Sequence, residues 1–145
     1  MLTPTDCVRI VAYDFANNCL RYEGAAIPSS ESLTHAAIYE SDSSVCAVIY
    51  CQDLALWRAL LDCAPTTSKA VAYGTPEVAY EIICLFELSD VRSKKMFVMA
   101  GHQAGIVAFG KNLEVALGVL MAARKRSDPC IKNGFPDRTP AHDEG

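Results

Sequence analysis

The amino-acid sequence predicts a single α/β domain whose sheet is not purely parallel and is covered by helices on both faces. Three observations lead to this prediction. The chain has 145 residues, which is the usual size of one domain. It is 51% hydrophobic and 21% charged, as expected for a globular protein with a core. Strand-like and helix-like segments are mixed along the chain, and the first two strands form a hairpin.

Strands are predicted where β-branched and aromatic residues form short apolar runs. The first two flank turn residues at 14–18 and therefore form a hairpin. The run at 45–51, VCAVIYC, shows no polar alternation, so we expect a central strand that is buried on both faces. The predicted strands lie at about residues 8–13, 19–22, 45–51, 69–73, 96–100 and 106–109.

Helices are predicted from apolar residues at helical spacing and from start signals. Ser29 or Ser30 is expected to cap the first helix, Asp53 the second, and Thr75 the third, with Pro76 at its first position. The side chains of Ser, Asp and Thr can accept a hydrogen bond from a free N–H of the first turn. Proline has no N–H that would need a partner there. The predicted helices span about residues 29–40, 53–61, 75–87 and 113–125.

The predicted domain covers residues 1–126, and residues 127–145 form a polar, proline-containing tail. The net charge of -4 argues against nucleic acid as a partner. No apolar run approaches the roughly 20 residues that span a bilayer, so a membrane is not expected either. The seven scattered cysteines form no CxxC pair, and most lie in apolar runs, where we expect buried, reduced thiols. A cytoplasmic location is the expectation.

Five motifs occur in a characteristic order: IPSSE, HAAIY, AVIYCQD, YGTPEVA, and VMAGHQAGIVAFG followed by KNLEVAL. Together they resemble the class II aldolase/adducin head family over residues 2–123. The resemblance implies a three-layer α/β/α domain around a mainly antiparallel or mixed central sheet. It also implies homo-oligomers, commonly tetramers, with the active site between neighbouring subunits. Active members cleave or form a C–C bond in a small, often phosphorylated sugar, using a divalent metal ion held by three histidines.

The family's SSE motif matches Ser29, Ser30 and Glu31. The resemblance implies that the serines contact a substrate phosphate, and that Glu31 acts as the acid/base. A helix start can bind an anion through its free N–H groups. The alternative, which the residues leave open, is an ordinary capped helix with an acidic first turn. His35, four residues after Glu31, is expected to be a packed or hydrogen-bonded structural residue.

The family's His-x-His pair falls on Tyr50 and Gln52. Residues at i and i+2 point the same way from a strand, so two histidines there would reach one metal ion. A phenol and an amide are poor ligands for a zinc-type ion, which favours imidazole, thiolate or carboxylate. Gln52 is therefore assigned to substrate binding and Tyr50 to acid/base catalysis, while Asp53 looks more like a helix cap.

His102 lies between the last two predicted strands. When the sequence is aligned on Gly105 and Gly110, the family's remaining metal histidine falls on Ala104, two residues later. If the segment is extended, this shift keeps His102 on the same face. His102 is thus the metal ligand if any exists, and one histidine with one or two carboxylates falls short of a catalytic set. The family also has an N-terminal phosphate-binding turn that lies before the start of this sequence.

The leading hypothesis is a class II aldolase/adducin-like domain with an eroded metal site, no cofactor and no standard aldolase activity, which acts as a small-ligand-binding or assembly module. The alternative is an active lyase or isomerase on a small phosphorylated sugar or hydroxy-carbonyl compound. It would use Glu31, His102 and Tyr50 in acid/base chemistry or with an unusual divalent metal. A structural oligomer without a small ligand is the third possibility.

Overall fold

The computed structural model describes the backbone of residues 1–61 and 63–133, and the side chains of residues 1–61 and 63–127. Strands and helices are mixed along the chain, as the sequence predicts. In chain order the elements are a 3₁₀ turn at Pro4–Asp6, β1 Val8–Asp14, β2 Cys19–Gly24, α1 Ser32–Ser41, β3 Ala47–Gln52, α2 Leu54–Leu60, α3 Pro76–Leu88, α4 Val91–Lys94, β4 Met96–Val98, β5 Gly105–Gly110 and α5 Leu113–Asn133.

The strands form two antiparallel sheets. β1 and β2 make the predicted hairpin, which is a separate two-stranded sheet. The other sheet has the order β3-β5-β4, so β5 is the central strand and is buried along its whole length. The prediction that residues 45–51 form the central strand is wrong, because β3 pairs with β5 alone among the described strands. An unbroken apolar run indicates burial on both faces, but it does not fix the position of a strand within a sheet.

Helices cover both faces of the three-stranded sheet. On one face, Val107 and Phe109 of β5 pack in a core with residues of α1 and α3, such as Ile38 and Ile82. On the other face, Ile106 and Ala108 pack with residues of α2 and α5. The alternation of side chains along β5 therefore serves two cores at once. This arrangement confirms the predicted three-layer α/β/α fold with an antiparallel central sheet.

Several predicted boundaries are corrected. Residues 69–73 are not a strand but a loop of turns and bends. Helix α1 begins at Ser32 with Glu31 at the cap position, so the predicted cap at Ser29 or Ser30 is wrong. The hydroxyl of Ser29 instead accepts the N–H of Glu31 in the turn before the helix. Helix α5 runs to Asn133, beyond the predicted end near Lys125. The division at residue 126 stays a prediction, and residues 134–145 lie outside the described part of the chain.

Two helix starts agree with the predicted caps, one of them only in part. The carboxylate of Asp53 accepts the N–H of Leu56 at 3.0 Å, so Asp53 caps α2 as expected. Thr75 occupies the cap position of α3 before Pro76, but its hydroxyl donates to the carbonyl of Ala72 instead.

The cysteines differ from the prediction of buried thiols. Cys51 is half-buried, and the other free cysteines among the described residues are exposed: Cys7, Cys19, Cys46, Cys63 and Cys84. Apolar runs failed to predict exposure here, because Cys19 and Cys84 lie on solvent-facing sides of β2 and α3, while Cys7, Cys46 and Cys63 lie in connecting segments. No helix in the described ranges is long and apolar enough to cross a membrane.

Candidate functional site

Three elements bring the predicted site residues together. Glu31 immediately precedes α1, Tyr50 and Gln52 lie at the end of β3, and His102 lies in the turn that joins β4 to β5. Antiparallel pairing places Gln52 beside Gly105, so the end of β3 lies next to that turn. The pairing of β3 with β5 therefore brings the side chains of Tyr50 and Gln52 to the turn that carries His102.

The turn itself is tight. The N–H of His102 donates to the carbonyl of Met99, and the carbonyl of His102 accepts the N–H of Gly105. Ala104 adopts a left-handed backbone conformation with φ 68°, which is costly for a residue with a side chain. The segment is therefore not extended, so the prediction that His102 faces the site because alternate residues of an extended segment share a face is wrong. His102 nevertheless faces the site, because the turn directs it there.

The four side chains form one contact cluster. Nδ1 of His102 lies 2.9 Å from Oε1 of Glu31. The Tyr50 hydroxyl lies 3.1 Å from Nε2 of His102 and 3.2 Å from Nδ1. The Gln52 amide donates to the Tyr50 hydroxyl at 3.0 Å and lies 3.3 Å from Nε2 of His102. The structure therefore brings together Glu31, Tyr50, Gln52 and His102, all of which the sequence singled out.

Glu31 is the most deeply buried member of this cluster, with 2% of its surface exposed. Its Oε2 accepts a hydrogen bond from the Thr34 hydroxyl at 2.8 Å. Its Oε1 has no well-directed hydrogen bond from any described residue. The contact with His102 is short, but its angle does not meet hydrogen-bond geometry. A buried carboxylate oxygen without a donor is costly, so this oxygen is a place where a donor group of a ligand would be stabilised.

The rings of two tyrosines lie against the His102 ring. Tyr73 stacks on it with a centroid distance of 4.0 Å and an interplanar angle of 19°. Tyr50 lies at 5.4 Å and 27°. Tyr73 was not predicted as a site residue, since it was placed at the end of a strand that does not exist. Only its position within the YGTPEVA motif could have drawn attention to it.

Burial shifts the ionisation of two groups near the cluster. It raises the pKa of Tyr50, against the effect of the Gln52 hydrogen bond and together with the negative charge of Glu31. Tyr50 thus stays a protonated phenol that can donate. Burial also lowers the pKa of His35, against the attraction of Glu31. His35 is half-buried, and its ring makes no hydrogen bond with the described side chains, so its structural role stays a prediction.

The two serines lie beside the cluster rather than in it. Ser29 and Ser30 line a cavity of about 270 Å³ together with Thr34 and Gly74. Ser29 also lines a cavity of about 640 Å³ between the hairpin and α1, into which His35 faces. Asn18 donates to the carbonyl of Gly74 at 2.9 Å and ties the loop to the hairpin turn. Ser29 therefore lines both cavities at the start of α1, and Ser30 lines the smaller one.

The donor set does not suit a zinc-type ion. Such a site takes three or four imidazole, thiolate or carboxylate ligands, and this cluster offers one imidazole and one carboxylate. Asp53 adds no third ligand, because its carboxylate caps α2. Within the described side chains, no group of three or more His, Cys, Asp or Glu residues is placed to hold a metal ion.

Comparison with known families agrees with the fold and with the order of motifs. The model of the class II aldolase and adducin N-terminal domain matches residues 2–126, which is most of the chain. The chain therefore belongs to the class II aldolase/adducin family. No curated protein matches the sequence.

Proposed function

We propose that this domain is a member of its family with an eroded metal site, and that it acts as a small-ligand-binding or assembly module without standard aldolase activity. The observation that supports the proposal is the contact of Tyr50 and Gln52 with His102. Their strand positions are those where the family resemblance expects two histidines. A phenol and an amide there leave His102 in a hydrogen-bonded cluster rather than in a set of metal ligands.

The ligand that fits this proposal is a small carbonyl compound or sugar phosphate. The cavity lined by Ser29 and Ser30 offers hydroxyl donors at the start of α1, and Thr34, whose hydroxyl donates to Glu31, lines the same cavity. We further propose a cytoplasmic homo-oligomer, a tetramer if it follows the pattern of its family.

Metal analysis tests the proposal. We expect purified wild-type protein to contain zinc, manganese and iron far below one equivalent, and no more than a His102→Ala variant contains. One equivalent of metal in the wild type that is lost in His102→Ala would contradict an eroded site. Circular dichroism of both proteins controls for folding.

An active acid/base lyase is the second candidate, and a specific geometry favours it. Glu31 lies 2.9 Å from His102, and His102 lies 3.1 Å from the Tyr50 hydroxyl. Either Glu31 or His102 would act as the base that removes a proton next to a carbonyl group, while the raised pKa of Tyr50 keeps its phenolic proton available to the carbonyl oxygen. Glu31→Gln would then abolish turnover of an aldol donor without unfolding the protein. Unchanged turnover in that variant would exclude this role for Glu31.

A further inference from the structure

A further cavity lies on the side of the three-stranded sheet that α2 and α5 cover, whereas the cavity of Ser29 and Ser30 borders α1 and α3. It has a volume of about 560 Å³ and is bordered by the end of α2, by α4 with the start of β4, and by the second half of α5. The apolar side chains that line it are Ala59, Leu60, Ala64, Met96 and Ala123. Small-molecule sites have volumes of roughly 300–1,000 Å³, so this cavity has room for a ligand.

Two positively charged side chains line this cavity from different helices. Lys94 is the last residue of α4 and Arg126 lies on α5, and both are exposed. Neither forms an ion pair with the side chains that the structure describes. The other polar residues of the lining are Cys63, Ser93 and Ser127, and no described acidic side chain is among them. The two positive charges therefore have no described counter-charge at the cavity.

Neighbouring residues add to this positive charge. Lys95 follows Lys94, while Arg124 and Lys125 precede Arg126. None of these neighbours forms an ion pair within the described part of the chain. The whole chain carries a net charge of -4, so positive charge is concentrated around this cavity. Concentrated charge of one sign raises the local concentration of ions of the opposite sign, and an anion is therefore the ligand that this corner of the domain attracts.

The lining combines an apolar wall with two positive charges. Leu60 and Met96 can cover the apolar body of a ligand. The two serine hydroxyls of the lining donate to backbone carbonyls, so the binding of a negative group depends on Lys94 and Arg126. A guanidinium group can bind a carboxylate through two parallel hydrogen bonds.

We propose that this cavity binds a small organic acid, in which one anionic group is attached to an apolar body. The apolar body lies against the wall formed by α2 and β4, and the anionic group lies between Lys94 and Arg126. The inference concerns residues outside the Glu31 cluster and does not rest on the function proposed for that cluster.

Matched ligands test the two parts of the proposal by isothermal titration calorimetry. The probe is naphthoate, while naphthamide lacks its charge and acetate lacks its apolar body. We expect the wild type to bind one equivalent of naphthoate, at least about threefold more tightly than naphthamide and at least about tenfold more tightly than acetate. Absence of naphthoate binding at millimolar concentration would overturn the proposal, and so would equal affinity for naphthamide or for acetate.

Variants that remove one charge each locate the site. Arg126→Gln and Lys94→Gln are each expected to weaken naphthoate binding by at least about threefold. Lys125→Gln is the matched control, because it removes the same charge from α5 at an exposed residue outside the lining. We expect it to change the affinity by less than about twofold at physiological salt. Circular dichroism of all variants controls for folding.

Two results of the variant series would contradict the site. An equal loss of affinity in Lys125→Gln and Arg126→Gln would show attraction by the charge of the whole region rather than binding in the cavity. Binding that is lost in Ser30→Ala but kept in Arg126→Gln and Lys94→Gln would place naphthoate in the cavity at the start of α1. That second result would overturn this proposal and leave the function proposed for the Glu31 cluster standing.

Discussion

Glu31 is the residue on which the candidate site depends. Its carboxylate is almost fully buried, and the Thr34 hydroxyl donates to one oxygen. The other oxygen faces His102 and receives no well-directed hydrogen bond from the part of the chain that the structure describes. Burial of a charged group is tolerated when it is paired or when a ligand supplies the missing donor. Among the described residues, Oε1 of Glu31 therefore has no hydrogen-bond donor, and a bound ligand could supply one.

His35 gives the molecule a dependence on pH that can be measured. Burial lowers its pKa from the ordinary value of 6.5. The unfolded chain therefore takes up a proton below about pH 6.5 more readily than the folded chain does, so the free energy of unfolding falls as the pH falls through that range. His35→Phe removes this titration, and we expect urea unfolding of the variant to show a smaller loss of stability between about pH 7.5 and about pH 5. Equal losses in both proteins would contradict this role.

At the scale of elements, the turn between β4 and β5 depends on its contact with the loop at residues 65–75. A Cβ added at Gly101 would overlap the carbonyl oxygen of Val71. Backbone atoms cannot move aside as a flexible side chain can, so only glycine fits at position 101. The close approach of Gly101 to Val71 holds the loop that carries Tyr73 against this turn.

Gly101→Ala is therefore expected to lower the free energy of unfolding by about 2 kcal/mol or more. Gly118→Ala is the matched control, because an added Cβ there meets no atom within 4 Å. Alanine in the helix at that position is expected to stabilise by about 0.5–1 kcal/mol. Thermal unfolding of the two variants measures both effects. A Gly101→Ala variant that is as stable as Gly118→Ala would show that the loop is not held at this point.

Short-range sequence signals predicted some elements correctly and did not predict others. The hairpin and the cap at Asp53 follow from short-range signals, which the structure confirms. The central position of β5 and the loop at 69–73 depend on which segments pair across the whole chain. A single apolar run does not indicate which other segment it pairs with. The strand order and the absence of a strand at residues 69–73 therefore depend on tertiary pairing rather than on the local sequence pattern.

At the scale of the molecule, the site is assembled from distant segments by the sheet. Glu31, Tyr50 and His102 meet because β3 and β5 pair antiparallel and α1 packs beside them. Their choice as site residues came from the family motifs, and the structure brings them into contact. Tyr73 escaped prediction because its contact with His102 arises from a loop that has no regular periodicity. The roles of all these residues stay predictions.

The central claim is that exchange of two ligand positions has removed a metal site from an otherwise typical fold. A Tyr50→His, Gln52→His double variant tests it directly, because it places two imidazoles next to His102 on the same side of β3. Zinc titration by calorimetry is expected to show one equivalent bound to the double variant, at least about 100-fold more tightly than to the wild type. Equal zinc binding by both proteins, at one equivalent and lost in His102→Ala, would contradict the account.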